Sequence, residues 1–139
     1  MGDDRDYGKR DGLFDRAAWD VDIDRLLEQS QEEQTRWLRK ELDRLDQQLE
    51  ERDEIHDRIV DRLEWKVDRY SDRLEKLYSQ GKGKRDGKRE QLKQRIQQFY
   101  DELREEQRSH WQDRQQLEAE RREILRELDE VTSDYLADI

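Results

Sequence analysis

The sequence predicts an all-α protein built around a long antiparallel helical hairpin of the coiled-coil type, with a short additional helix at its N-terminal end. Of the 139 residues, 49% are charged and 30% are hydrophobic, too few apolar side chains for a globular core. The apolar residues recur every three or four positions, as they do along one face of a helix. There is no proline, and the six glycines lie near the start and in one central cluster. Long helices joined by one glycine-rich reversal account for all three observations.

The N-terminal region divides into two segments before the hairpin. Residues 1–12 are polar and contain glycines, and we expect them to be disordered. Residues 13–29 carry apolar side chains at helical spacing and predict a short amphipathic helix. Ser30 and Glu33 have the S-x-x-E spacing of a capping box, which marks the start of a new helix. The hairpin is therefore expected to cover residues 30–139, although a single helix running through Ser30 is the alternative.

The first arm of the hairpin, residues 31–79, places its apolar residues about 3.6 positions apart, a spacing that suits a nearly straight helix. These residues are Leu38, Leu42, Leu45, Leu49, Val60, Leu63, Val67, Tyr70, Leu74 and Leu77. The series is interrupted in its middle by Arg52, Asp53 and His56. The first arm therefore has an apolar seam with a polar centre.

The second arm, residues 86–136, follows a loop at residues 80–88 whose glycines supply the positive φ angles of a tight reversal. The residues that form its seam repeat every seven positions, as in a coiled coil. The repeat consists of Ile96, Leu103, His110, Leu117, Ile124 and Val131, with Tyr100, Leu128 and Tyr135 in the companion position. Gln107 and Arg114 share that companion position, so the second arm also has a polar centre.

Folding the hairpin at the glycine cluster brings His56 level with His110, and Asp53 level with Arg114. The two polar interruptions then face each other, although the periodicity of each arm was read independently of the other. The predicted polar layer consists of Arg52, Asp53, His56, Gln107, His110 and Arg114. A polar layer in an apolar seam can fix the register of two helices at some cost in stability.

The two histidines, the only ones in the chain, also suggest a metal site or a pH switch. Di-iron sites in helix bundles use Glu-x-x-His pairs from two helices. Gln107 stands three residues before His110, where that pattern requires a carboxylate. The register role is therefore favoured, and no metal or cofactor is expected.

The reversal forms a basic tip on a chain of net charge −10. The exposed cations expected there are Lys82, Lys84, Arg85, Lys88 and Arg89. Such a tip could bind a phosphate, a lipid head group or an acidic partner. It lacks interleaved aromatic residues and a phosphate-binding motif, so nucleic acid is not expected as a partner. The simpler interpretation, a solvated loop whose charge offsets nearby acidic residues, is favoured.

Three tryptophans, Trp37, Trp65 and Trp111, are predicted at the edge of the seam. Aromatic residues at such positions indicate either a wider seam or a face for a partner. Catalysis is not predicted, because Ser109 and His110 are neighbours on a helix and point in different directions. We therefore predict a non-enzymatic scaffold or adaptor that acts by helix–helix contacts with protein partners and by self-association. The sequence shows no signal-peptide pattern and no apolar run of membrane-spanning length, so we expect the cytoplasm as the default location.

Three segments resemble known helical families. Residues 97–111 (QQFYDELREEQRSHW) and 126–136 (RELDEVTSDYL) resemble the repeats of gas vesicle protein C, which clamp the outside of a gas-filled shell. Residues 12–28 (GLFDRAAWDVDIDRLLE), followed by a long hairpin, are similar in layout to phage-shock protein A, whose first helix lies on membranes. These resemblances imply a coat-like protein on a shell or membrane surface as the alternative function. A membrane surface is not favoured, because anionic lipid would repel Asp15, Asp20, Asp22 and Asp24.

Overall fold

A computed structural model of the protein shows the predicted all-α helical hairpin. It describes the backbone of residues 2–137 and the side chains of residues 22–133. Helix α1 extends from Gly2 to Ser79, and helix α2 extends from Lys88 to Ala137. The two helices pack against each other, and the described residues contain no strand. No helix in the described part of the chain has an apolar stretch long enough to cross a membrane.

The N-terminal boundaries in the structure differ from those predicted. Helix α1 continues through Ser30 without a break, and it already includes residues 2–12. Ser30 and Glu33 therefore lie inside a helix, where the S-x-x-E spacing has no capping role. Extending an existing helix is easier than starting a second one, because each new nucleus fixes several dihedral angles for one hydrogen bond. A glycine inside a helix costs only about 1 kcal/mol relative to alanine, so the early glycines do not force an end.

The reversal at residues 80–87 depends on left-handed backbone angles. Gly81, Gly83 and Gly87 have φ values of 66°, 88° and 75°. Glycine adopts these angles without a steric penalty. The Lys82 N–H donates to the Leu77 carbonyl at 2.8 Å and caps the end of α1. The Asp86 carboxylate accepts a hydrogen bond from the Lys88 N–H at 3.2 Å, at the start of α2.

The chain forms two compact units. The first consists of Met1–Asp43 and Glu123–Ile139, and the second of Arg44–Arg122. In the first unit the Leu38 side chain is completely buried. The second unit contains an apolar cluster of Leu63, Val67 and Phe99, against which Ile59, Tyr70, Ile96 and Leu103 pack. The rings of Tyr70 and Phe99 meet edge to face, with their centroids 5.2 Å apart.

In the part of α2 nearest the loop, the buried companion position of the seven-residue repeat differs from the prediction. It lies one residue earlier in the sequence. Phe99 is 3% exposed, whereas Tyr100, which was predicted in the seam, is 46% exposed. Likewise, Glu106 is half-buried and Gln107 is exposed. A straight α-helix drifts by about 20° per heptad relative to a seven-residue repeat, so the buried stripe moves across residue positions along the helix.

Candidate functional sites: the histidine layer, the hairpin tip and the exposed tryptophans

Polar side chains replace apolar ones between α1 and α2 in the middle of the second unit. The rings of His56 and His110 stack with their centroids 3.8 Å apart and their planes 8° apart. Their side chains are 17% and 20% exposed. This stacking confirms the predicted register, in which the two histidines lie level. We call the surrounding group the histidine layer; it consists of Arg52, Asp53, His56, Glu106, His110, Asp113 and Arg114.

Each histidine is hydrogen-bonded to a carboxylate of the opposite helix. His56 Nδ1 lies 3.1 Å from Glu106 Oε1, and His110 Nε2 lies 2.7 Å from Asp53 Oδ1. An ionised carboxylate can only accept hydrogen bonds, so each of these ring nitrogens must donate. The carboxylates therefore fix which nitrogen carries the proton in each neutral ring. The two pairs run in opposite directions between the helices.

An arginine completes each pair. Arg52 lies 2.8 Å from Glu106 through Nη2 and 2.8 Å from Asp113 through Nε. Arg114 Nη1 lies 2.5 Å from Asp53 Oδ2. Each carboxylate that holds a histidine therefore also holds an arginine of the opposite helix. Such charge-assisted hydrogen bonds are shorter and stronger than neutral ones.

These contacts lower the pKa of both histidine-bound carboxylates. The hydrogen bond from Arg114, followed by that from His110, lowers the pKa of Asp53 below its ordinary value. Burial acts to raise the pKa of Glu106, but the hydrogen bonds it accepts from α1 outweigh burial, and its pKa also lies below its ordinary value. Both groups are therefore ionised at neutral pH, which keeps the layer charged.

One hydrogen-bond donor of the histidine layer lacks a partner. Among the described side chains, Arg52 Nη1 is buried without a protein hydrogen-bond partner. An unsatisfied buried donor costs about 1–3 kcal/mol. No group of three or more His, Cys, Asp or Glu side chains within the described range is placed to hold a metal ion. The arrangement is suited to specifying which residues of α1 and α2 lie opposite each other.

The structure brings together five of the six predicted layer residues: Arg52, Asp53, His56, His110 and Arg114. Gln107 is exposed and does not join them. Glu106 and Asp113, which the sequence analysis missed, contribute instead. They stand four residues before and three residues after His110, on the same helical face. That spacing is the sequence signal that could have identified them.

The cations of the hairpin tip have two different environments. Arg89 is half-buried; its Nε donates to the Lys82 carbonyl at 2.7 Å, and its guanidinium lies 4.4 Å from the Tyr78 ring centre. It therefore helps to hold the loop. Lys82, Lys84 and Arg85 are exposed. Lys88 is also exposed and lies 3.9 Å from Asp86.

The three tryptophans lie in solvent and not in the seam. Trp37, Trp65 and Trp111 are 59%, 57% and 63% exposed. Trp65 stands midway between the buried Leu63 and Val67, which places it on the opposite side of α1. The guanidinium of Arg69 lies 5.1 Å from its ring centre. The prediction of a wider seam within one chain is therefore wrong for these residues, and the rings remain available for a partner.

A protein-family model described as "Family of unknown function (DUF8104)" matches residues 8–139. No curated protein matches the chain, and no solved structure matches it.

Proposed function

The chain belongs to DUF8104, a family of unknown function, and we propose that it is a non-enzymatic cytoplasmic scaffold or adaptor. In this proposal it acts through helix–helix contacts with protein partners and with copies of itself. The observation that carries the proposal is the distribution of large apolar side chains. Ten of them are exposed among the described residues, whereas five hydrophobic side chains are buried.

Single exposed apolar residues are common on protein surfaces, so the residue type matters. Trp37, Trp65 and Trp111 are more than half exposed. Tryptophan is enriched among the residues that contribute most to protein–protein binding. A tryptophan offers 150–250 Å² of surface, and burying half of it contributes about 2–3 kcal/mol at 25 cal/mol per Å². The exposed rings therefore support association with another helical surface.

The histidine layer supports the same proposal from inside the hairpin. A coiled-coil scaffold must present its outer face in one register, and purely apolar seams specify register weakly. A buried polar group penalises alternative pairings, because these would leave it without a partner. In this proposal the reciprocal pairs of His56 with Glu106 and His110 with Asp53 keep Trp65 and Trp111, which lie in the same unit, at fixed positions.

Light scattering coupled to size exclusion tests the proposal. We expect the wild-type protein to elute as a dimer or larger assembly, and the Trp65→Ser/Trp111→Ser variant to have a lower molar mass at the same concentration. Arg104→Ser/Arg108→Ser is the matched control, because these side chains are 70% and 68% exposed and form only intrahelical ion pairs. Equal association of all three proteins would show that Trp65 and Trp111 are not part of the interface.

A second candidate function is the binding of an anionic partner through the hairpin tip. It is favoured by the exposure of Lys82, Lys84 and Arg85 in a chain that is otherwise acidic. Binding to an acidic protein should fall steeply with salt concentration and should be lost in Lys84→Glu/Arg85→Glu. Unchanged binding in that variant would exclude the hairpin tip.

A further inference from the structure

A groove between α1 and α2 lies in the second unit, next to the hairpin loop. It has a volume of about 590 Å³. Its apolar floor is formed by Tyr70, Leu77 and Leu92, all partly buried. We call it the distal groove. The remaining lining residues are Arg73, Lys76, Lys88, Gln91 and Arg95.

The rim of the distal groove is cationic on both sides. Arg73 and Lys76 line it from α1, and Lys88 and Arg95 line it from α2, with no carboxylate in the lining. The two arginines lie over aromatic rings: the Arg73 guanidinium is 5.1 Å from the Tyr70 ring centre, and that of Arg95 is 5.4 Å from Phe99. The charge is therefore concentrated around an apolar floor, although the chain as a whole has a net charge of −10.

The basic side extends along α1 beyond the groove. Arg62, Lys66, Arg69, Arg73 and Lys76 follow each other at spacings of four, three, four and three residues. Residues at these spacings lie on one helical face. Arg62 and Lys66 line a neighbouring pocket that also contains Glu102, Glu105 and Glu106, so the unopposed positive charge is that of the distal groove. A ligand that fits the distal groove should therefore be acidic at its edges and carry an apolar stripe for the groove floor.

A segment of the chain has this complementary pattern. Ile23, Leu26 and Leu27 are 41%, 60% and 59% exposed, and their spacing places them on one face of α1. The exposed carboxylates of Asp22 on one side and of Asp24 and Glu28 on the other flank this apolar face. We call residues 22–28 the acidic segment. Its apolar stripe and paired acidic edges match the apolar floor and paired basic rims of the distal groove.

We propose that the distal groove of one chain binds the acidic segment of a second copy of this chain, as a helix in a groove. The occupant is assigned to another copy because Ile23, Leu26 and Leu27 are exposed in the chain that carries them. This inference rests on the proposed self-association and adds a second pair of surfaces to the exposed tryptophans already assigned to it. Apolar contacts supply attraction, and the opposite charges on the two edges select the partner.

Reciprocal charge reversal in the full-length protein tests the pairing. The groove variant is Arg73→Glu/Lys76→Glu, and the segment variant is Asp22→Lys/Asp24→Lys. In each variant alone, the two reversed side chains meet charges of their own sign, so we expect self-association to weaken by about tenfold or more. In an equimolar mixture of the two variants, every contact again joins opposite charges, and the molar mass by light scattering should return to that of the wild type.

The control variant is Arg104→Glu/Arg108→Glu, which changes the net charge by the same amount as the groove variant on exposed residues outside the groove. It should associate like the wild type. Restoration in the mixture also shows that both variants are folded.

Four results would overturn the inference, and they differ in what else they overturn. A monomeric wild type would remove the proposed self-association as well. A wild-type assembly that persists in both variants, or variants that stay dissociated when mixed, would leave the scaffold proposal intact but place its interface elsewhere. Sedimentation of the wild type with phosphatidylglycerol vesicles, lost in the groove variant while the molar mass stays unchanged, would assign the groove to a membrane surface.

Discussion

The second unit joins the same two helices in two different ways. In the apolar cluster, Leu63, Val67 and Phe99 are buried together. In the histidine layer, the interface between the two helices is formed by stacked imidazoles, carboxylates and arginines. Apolar burial is non-directional, so the cluster stabilises any register that keeps it covered. The layer demands particular partners and leaves Arg52 Nη1 unsatisfied, so it adds specificity more than stability.

The largest expected effect concerns the apolar cluster. Phe99→Ala should lower the free energy of unfolding by about 3 kcal/mol, because it removes a buried ring that packs against Tyr70. Tyr100→Ala is the matched control on the neighbouring residue, and its loss should be below about 1 kcal/mol because its side chain is largely exposed. Urea denaturation measures both. Equal losses would mean that the seam follows the seven-residue repeat with Tyr100 inside it.

Removing one charge from the histidine layer should destabilise the protein somewhat less than Phe99→Ala does. Glu106→Gln removes the charge that pairs with Arg52, a side chain that is only 15% exposed, so the free energy of unfolding should fall by about 2 kcal/mol. Glu105→Gln, which alters the preceding residue on the exposed surface, should change the free energy of unfolding by less than about 0.5 kcal/mol. If the two variants were equally stable, the layer would make no contribution to folding.

The pH dependence of stability should separate the layer from the cluster. Because Asp53 and Glu106 have lowered pKa values in the folded protein, their contribution is present above their ordinary pKa values. It is lost as the pH falls through the lowered values, with a slope of at most about 1.4 kcal/mol per pH unit for each group. Urea denaturation between neutral and acidic pH should show this loss in the wild type. A double variant, Asp53→Asn/Glu106→Gln, should show a flatter dependence; an identical slope would place the acid sensitivity elsewhere.

The smallest expected effect comes from an ion pair outside the layer. Arg121 Nε lies 2.7 Å from Asp46 Oδ1, as close as the contacts of the layer, but the two side chains are 39% and 48% exposed. Arg121→Gln should therefore change the free energy of unfolding by about 0.5 kcal/mol or less. A loss as large as that of Glu106→Gln would show that distance, and not burial, determines the strength of these pairs.

The register of the hairpin could be predicted from the sequence because polar interruptions in two independent apolar patterns coincided. The position of individual side chains around α2 was harder to predict. Gln107 fits the seven-residue repeat, but the helix turns by 3.6 residues, and this difference brings Glu106 to the layer instead. The S-x-x-E spacing at Ser30 also predicted a break that the helix does not have. A capping-box spacing cannot show whether the preceding residues leave the helix.

The exposure of the tryptophans and the basic rim of the distal groove depend on the packing of the two helices. Trp65 lies between two seam residues in the sequence, and only its rotation away from Leu63 and Val67 places it in solvent. The rim combines Arg73 and Arg95 from different helices. The spacing of the α1 cations was visible in the sequence, but their position beside an apolar floor was not.

The molar mass of the wild-type protein in solution tests the central claim most directly. The account predicts a discrete assembly of at least two 17.3 kDa chains by light scattering coupled to size exclusion. A species with the mass of one chain at every concentration would contradict self-association and leave the exposed tryptophans and the distal groove to other partners.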